Sequence, residues 1–401
     1  MKKIFLTILV VYFVNPSFSQ KSVSDLVGAN NQFALELFSS LKKTQTNCLV
    51  SPFSISTALA MTYAGAKNQT DTAMHKVLHF NENNEYFHNQ FENLINKVES
   101  NKSSEFYKLN LANKIWVQKN TKLTELFLKT TKTSYNAPAE QVSFLTKKDL
   151  DASRKKINNW VEDQTNKKIK DLIKEGILTT QTQMVLTNAI YFFSSWESAF
   201  NTENTVENSF FVNSNLTEQV KFMNKTIKTK YFEDTQMQAV KIQYSMNNAA
   251  FVLILPSENT DLERFESTFN YTMYSKMMDS FSDYEVSISM PRFKMQSEFE
   301  LSETLKSMGM ADAFSNQADF SGMTGTKELK IDKIIHKTFI ELNEKGTEAA
   351  AATAVIMVRK GGTINQLEQK KLLANRPFFF IITDNATGSI IFMGKLFNPK
   401  I

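Results

Sequence analysis

Two strong strand patterns near the C-terminal end of the chain are separated by a stretch that neither continues. "KIIHKTFIELN" runs to Asn343, and "PFFFIITDNATGSIIFMG" starts at Pro377 and reads as a hairpin turning over residues 384–388. More than thirty residues lie between them, too many for an ordinary connection inside a compact domain, so the spacing predicts a functional loop. Within it stands "GTEAAAATAVIMVRKGG", residues 346–362. Its alanine run favours helix, "VIMV" at 355–358 favours strand, and glycines bracket both. One segment carries two conformations, and the function is read as the passage from one to the other.

The remainder predicts an α+β domain. "NNQFALELFSSLKK" spaces its apolar residues at three and four. "SISTALAMTYAGA" reads as a helix entered through Ser51-Pro52, and "INNWVEDQTNKKIKDLI" as an amphipathic helix with Ile157, Trp160, Val161 and Ile169 inward. From about residue 184 strands dominate: "MVLTNAIYFF", "AAFVLILP" and "YEVSISMPRF" precede the two already named. No repeat, low-complexity linker or charge block divides the 401 residues, so one large domain with several sheets is expected.

The N-terminus reads as a removable export signal: Lys2-Lys3, an apolar run over residues 4–14, Pro16, then the small Ser17 and Ser19. Residues 1–19 are taken as that signal and 20–401 as the domain, which places the protein outside the cell, or in the periplasm of a Gram-negative source. No other long apolar run occurs, so no membrane association is expected. Cys48 is the one cysteine and reads as a buried hydrophobe in "NCLVSPF". The formal charge of +5 falls to +3 (5 minus 2) without Lys2 and Lys3, too mild to imply nucleic acid. Arg154-Lys155-Lys156 and Lys167-Lys168-Lys170 read as the wet face of a helix, not as a polyanion or heparin site.

Enzyme chemistry is not legible. His75 and His79 have ligand spacing, but no Glu lies between them and no third ligand is near, so no metal is expected. GxSxG, a phosphate loop and a dinucleotide glycine pattern are all missing, and "GMTGTK" has the wrong spacing. No cofactor is expected.

Five segments in order, "NCLVSPFSISTALAM", "TNAIYFFSSWESAF", "LKSMGMADAFSNQADFSGM", "IHKTFIELNEKGTEAAAAT" and "RPFFFIITDNATGSIIFMG", resemble the serpin family from about Leu26 to Pro399. The resemblance implies a single domain with three β-sheets, eight or nine helices and an exposed reactive loop at about 344–375. It implies a monomeric, single-use inhibitor that forms a covalent one-to-one complex with a serine protease and is not itself an enzyme. After cleavage the Gly346 side of the loop would enter the central sheet as a new strand. The family's hinge maps onto Glu344, Gly346, Thr347, Glu348, Ala349, Ala350, Ala351, Ala352 and Thr353. Its inward positions are Thr347, Ala349, Ala351, Thr353, Val355 and Met357, none charged and none proline. Glu348 falls on the outward phase, where a carboxylate costs little.

By the family's spacing the cut follows Lys360, with Gly361 after it and Arg359 as the neighbouring alternative, which fits a trypsin-like protease. The segment from Lys360 to Arg376-Pro377 is several residues longer than the family's pattern, which leaves Met357 and Val358 as other positions, and an elastase-like, chymotrypsin-like or cysteine protease as other targets. Ser54, Asn188 and His336 match the family's polar cluster beneath the middle of the central sheet, and Trp196 the position where insertion begins. A non-inhibitory relative, a chaperone or a carrier, would show proline, charge or bulk on the inward hinge positions.

Overall fold

Ser51 starts the helix that organises the interior. Its backbone is extended (φ −113°, ψ 92°), its Oγ accepts the Ser54 N–H at 3.3 Å, and Pro52 occupies the first turn, where its missing N–H is harmless. Every residue of that helix, Pro52–Tyr63, is buried, because it lies between sheets. The computed structural model describes residues 23–41, 46–100, 104–258, 260, 262–348 and 367–400.

In chain order the elements are α1 (Val23–Ser40), β1 (Cys48–Val50), α2 (Pro52–Tyr63), α3 (Asn68–Leu78), α4 (Glu85–Val98), β2 (Tyr107–Gln118), α5 (Glu125–Tyr135), β3 (Glu140–Val142), α6 (Lys147–Gln164) and β4 (Met184–Ser195). Then follow β5 (Val206–Asn213), β6 (Leu216–Glu233), β7 (Met237–Gln243), β8 (Ala249–Pro256), α7 (Leu262–Thr268), α8 (Tyr271–Asp279), β9 (Ser282–Pro291) and β10 (Phe293–Glu300). The chain ends with α9 (Ser302–Leu305), α10 (Ser321–Thr324), β11 (Lys333–Asn343), β12 (Gly346–Thr347), β13 (Gln369–Leu373), β14 (Phe378–Asp384) and β15 (Ile390–Leu396). Ten α-helices stand among the described residues, one more than the upper expectation, because α9 and α10 are single turns of four residues.

The central sheet runs β10-β11-β12-β4-β2-β3. The other strands form an array, β1-β15-β14-β8-β7-β6-β9-β13, with β5 on β6. Here β6 is 18 residues long and serves two sheets: it pairs β5 and β9 along most of its length and β7 at its end. Three sheets therefore surround one domain.

Alternation along the central strands sorts their side chains between two cores. Met184, Leu186, Ile190 and Phe192 of β4 join the main core with Ile334, Ile340 and Leu342 of β11. Val185, Ala189, Ile335 and Phe339 join a second core under α6 with Ile157, Val161 and Ile169. Strands covered on both faces read as near-continuous apolar runs, which is why "MVLTNAIYFF" and "KIIHKTFIELN" were conspicuous.

Three expectations are corrected. The helix foreseen from Ile157 through Ile169 ends at Gln164: Thr165 Oγ1 turns back to the Val161 carbonyl, and Asn166 and Lys167 take left-handed φ of 50° and 58°. Ile169 is buried as foreseen, but from the connector that follows the helix, and Trp160 is only half-buried. The span 344–375, expected without regular structure, contains two strands, β12 and β13, with residues 349–366 outside the described residues. β13 is an edge strand whose "QKKLL" offers one buried residue, Leu372, too little apolar pattern to be seen. Strands β2, β5, β6 and β7 were not foreseen, their apolar residues being interleaved with Asn, Lys and Thr.

Candidate functional site

β4 and β11 are joined at the bottom and forked at the top. Residues 185–190 pair in parallel with 333–338, whereas 191–193 and 339–341 are not paired with one another. Above the fork β12 fills the gap, antiparallel to both neighbours: Gly346 lies opposite Ser195 and Asn343, Thr347 opposite Ser194 and Leu342. The chain reaches this place by reversing over Glu344 and Lys345, where the Asn343 Oδ1 accepts the Lys345 N–H at 2.9 Å.

The residues expected in the hinge have distinct settings. Glu344 is nearly enclosed: Thr205 Oγ1 donates to its Oε1 at 2.9 Å, Arg292 stands 3.8 Å away, and its carbonyl takes the Phe200 N–H. A cleft of about 590 Å³ lined in part by Arg292, Lys294, Glu341 and Glu344 opens beside it. Thr347 is fully buried, with its Oγ1 2.5 Å from the Tyr244 hydroxyl. Tyr244 in turn stacks on Trp196 at 4.5 Å and 6°. Trp196 holds the turn from below: its Nε1 donates to the Asn343 carbonyl and its backbone N–H to that of Lys345, both at 2.9 Å.

Glu348 departs from its expected setting. The alternation does carry it to the face opposite Thr347, but that face is covered there by the connector after α6, and its side chain is only 9% exposed. Lys168 Nζ holds Oε1 at 2.7 Å, while Oε2 is buried with no hydrogen bond. Burial outweighs Lys168, so the carboxyl titrates above its ordinary range. A carboxylate here is therefore costly, not cheap.

Ser54, Asn188 and His336 come together below the fork, and two residues the sequence reading missed complete the group. Asn188 Nδ2 donates to Ser54 Oγ at 2.8 Å and to Asn113 Oδ1 at 2.6 Å, and Ser54 Oγ donates to Asn113 Oδ1 at 3.0 Å. The Ser51 N–H donates to His336 Nε2 at 3.1 Å, which leaves the ring proton on Nδ1 for its bond to Asn188 Oδ1. Burial pushes the His336 pKa down to about 3, so the ring is neutral at physiological pH. The group ties α2, β2, β4 and β11 together through one buried hydrogen-bond network.

Asn113 was missed because β2 was missed, and its one signal was a polar residue inside a run with buried neighbours. Tyr244 carried no local signal, and Lys168, expected with Lys167 and Lys170 on the wet face of a helix, stands instead on the connector past Gln164, paired with a covered carboxylate. Ala349, Ala350, Ala351, Ala352, Thr353, Val355, Met357, Val358, Arg359, Lys360, Gly361 and the N-terminal signal lie outside the described residues. Of the histidines considered for metal, His79 Nε2 is 2.8 Å from Glu36 Oε2.

A family model described as "Serpin (serine protease inhibitor)" matches residues 28–399. The chain is 36% identical to Serpin B3 of Homo sapiens over 397 residues, covering 94% of this chain and all of that one. It is 34% identical to the leukocyte elastase inhibitor of Sus scrofa, with the same coverage of 94% and 100%. Among solved structures, human thyroxine-binding globulin complexed with thyroxine superposes with a TM-score of 0.83 at 29% identity, over 94% of this chain and all of that one. A protein named as an elastase inhibitor and one named as thyroxine-binding are thus both similar to this chain. No helix among the described residues is long and apolar enough to cross a membrane.

Proposed function

The chain belongs to the serpin family, and from that premise we propose that it is a single-use serine protease inhibitor that traps its target by inserting its own cleaved loop into the central sheet. The observation that carries this reading is β12, two residues of strand already seated between β4 and β11 above an unpaired fork. A strand continuing downward from Thr347 enters that gap antiparallel to both neighbours and closes the ladder.

The chemistry belongs to the protease. Its serine oxygen attacks the Lys360 carbonyl, the bond to the Gly361 nitrogen breaks, and the chain up to Lys360 remains esterified to the enzyme. Insertion then draws the protease along the sheet by roughly 3.3 Å per residue. The triad and oxyanion hole need positions good to a fraction of an ångström, so the distorted enzyme no longer hydrolyses the ester. The inhibitor is consumed one to one and turns nothing over. Lys360, with Arg359 beside it, fits a protease with an acidic specificity pocket. Residues 1–19 are the basis for assigning an exported protein.

Titration with a trypsin-like protease tests the reading. The expected result is a one-to-one complex that survives denaturing electrophoresis, with a released C-terminal fragment that begins at Gly361 by mass spectrometry. A fragment beginning at Lys360 moves the cut to Arg359. One beginning at Val358 or Arg359 points instead to an elastase-like or chymotrypsin-like target. Repeated turnover, or no complex with proteases of any of these classes, overturns the inhibitory reading in favour of a carrier or chaperone.

A further inference from the structure

Residues 165–174, between α6 and β4, form a strap over the seam that an entering strand must open. Ile169, Leu172 and Ile173 pack on Val185, Ala189, Ile335 and Phe339, and Asn158 of α6 clasps Ile173 through both its N–H and its carbonyl at 2.8 and 2.9 Å. Lysines fix the strap to the sheet. Lys337 Nζ donates to the Lys170 carbonyl at 2.7 Å, and Lys174 pairs with Glu298 at 2.8 Å, both on the β10–β11 side. Lys168 makes the attachment that reaches the hinge, through Glu348.

The geometry at Glu348 is that of a stop. Its N–H still bonds the Glu341 carbonyl at 2.6 Å, so the ladder extends one residue past β12. Its φ is +53°, in the left-handed region, where a strand cannot continue. For the hinge to advance, Glu348 must swing to an extended conformation, and that moves the carboxylate away from where Lys168 holds it.

We propose that the Lys168–Glu348 ion pair couples the hinge to the strap by neutralising the covered carboxylate and so keeping the hinge seated as far as Thr347, so that removing Lys168 while Glu348 stays charged unseats the hinge. This rests on reading Gly346–Thr347 as the leading end of an inserting strand. The physical cause is the setting of the carboxylate. The groups facing it are Lys168 from the strap, Glu341 from β11 and Tyr191 from β4, with Lys294 of β10 standing 3.9 Å from Glu341. Lys168 supplies the positive charge in direct contact, and Oε2 already lacks a hydrogen bond. Without Lys168, an unpaired carboxylate in a covered position is driven to water and takes Thr347 with it. Protonation removes that drive, so acid should favour the seated hinge.

Backbone hydrogen exchange on the whole chain, with no protease present, reads the seating directly at the Thr347 and Glu348 amides. Lys168→Ala should speed exchange there by roughly tenfold while leaving the β2 amides unchanged. In a Glu348→Gln background the same substitution should add nothing, and the exchanged pair, Lys168→Glu with Glu348→Lys, should return exchange toward wild type. Lowering the pH from about 7 to about 5 should slow exchange, corrected for its chemical rate, in Lys168→Ala but not in the double variant with Glu348→Gln. Unchanged exchange in Lys168→Ala, or equal acceleration with Glu348→Gln present, overturns the coupling. The two readings fail separately: a chain that shows the coupling yet forms no covalent complex loses only its inhibitory function, and the reverse result removes only the coupling.

Discussion

A Cβ on Gly346 would stand 2.1 Å from the Ser194 carbonyl oxygen and 2.7 Å from Ser195 Cα, and the residue's φ of +146° is one that other residues rarely adopt. Gly346→Ala should therefore not seat. We expect accelerated exchange at Thr347 and a cost of about 1–3 kcal/mol to the seated state; wild-type exchange would show that the backbone yields instead. His336 makes a different kind of statement at the same scale. Its ring stays neutral in the fold down to about pH 3, whereas an unfolded histidine takes its proton at about 6.5. Between those values the unfolded chain binds the extra proton, so stability falls as the pH falls below 6.5, by up to about 1.4 kcal/mol per pH unit. His88, lowered to about 4 by burial, acts in the same direction. Denaturant unfolding at pH 7, 6 and 5 should show a shallower loss in His336→Gln than in wild type, with His88→Gln as the comparison. An identical slope would mean that the ring is protonated in the fold.

Among elements, the central sheet is where sequence and structure disagree most usefully. β4 and β11 were legible because both of their faces are covered. β2 was not, although it supplies Asn113 to the group that joins β4 and β11 to α2. Asn113→Ala removes the acceptor shared by Ser54 and Asn188 and should cost about 1–3 kcal/mol, seen as a lower Tm. Combined with Ser54→Ala the cost should be less than additive, because the two changes break one network. Additive losses would mean that the residues act separately. β12 carries the matching prediction. Thr347 faces the main core against Tyr244, so Thr347→Arg places an unpaired charge there at a cost of several kcal/mol. The variant should be cut by the protease and released, and a covalent complex at wild-type stoichiometry would show that position 347 does not face inward on insertion.

For the whole molecule, the fork between β4 and β11 means that the sheet is not closed in the uncut chain. Cleavage of the loop by a non-target protease should allow closure and raise the Tm by tens of degrees, even though only a covalent bond has been lost. An ordinary domain nicked in an exposed loop gains nothing. An unchanged or lower Tm would exclude insertion while leaving the fold as it stands.

Local pattern was enough for what local forces decide. The cap at Ser51-Pro52 and the two-faced strands β4, β8, β11, β14 and β15 follow from period and residue type, whereas the opposite phases of Thr347 and Glu348 came from the resemblance to a known family. The resemblance to a known family added Ser54, Asn188, His336 and Trp196 as a set. What lay beyond the sequence was which residues meet across the fold. Asn113 reaches Asn188, Tyr244 reaches Thr347, and Lys168 reaches Glu348 over sequence separations of 75, 103 and 180 (348 minus 168) residues. The family's phase left Glu348 on a wet face, because a phase says which side a residue takes but not what covers that side. The connector after α6 decides that, and it turned a carboxylate expected in water into a covered one paired with Lys168.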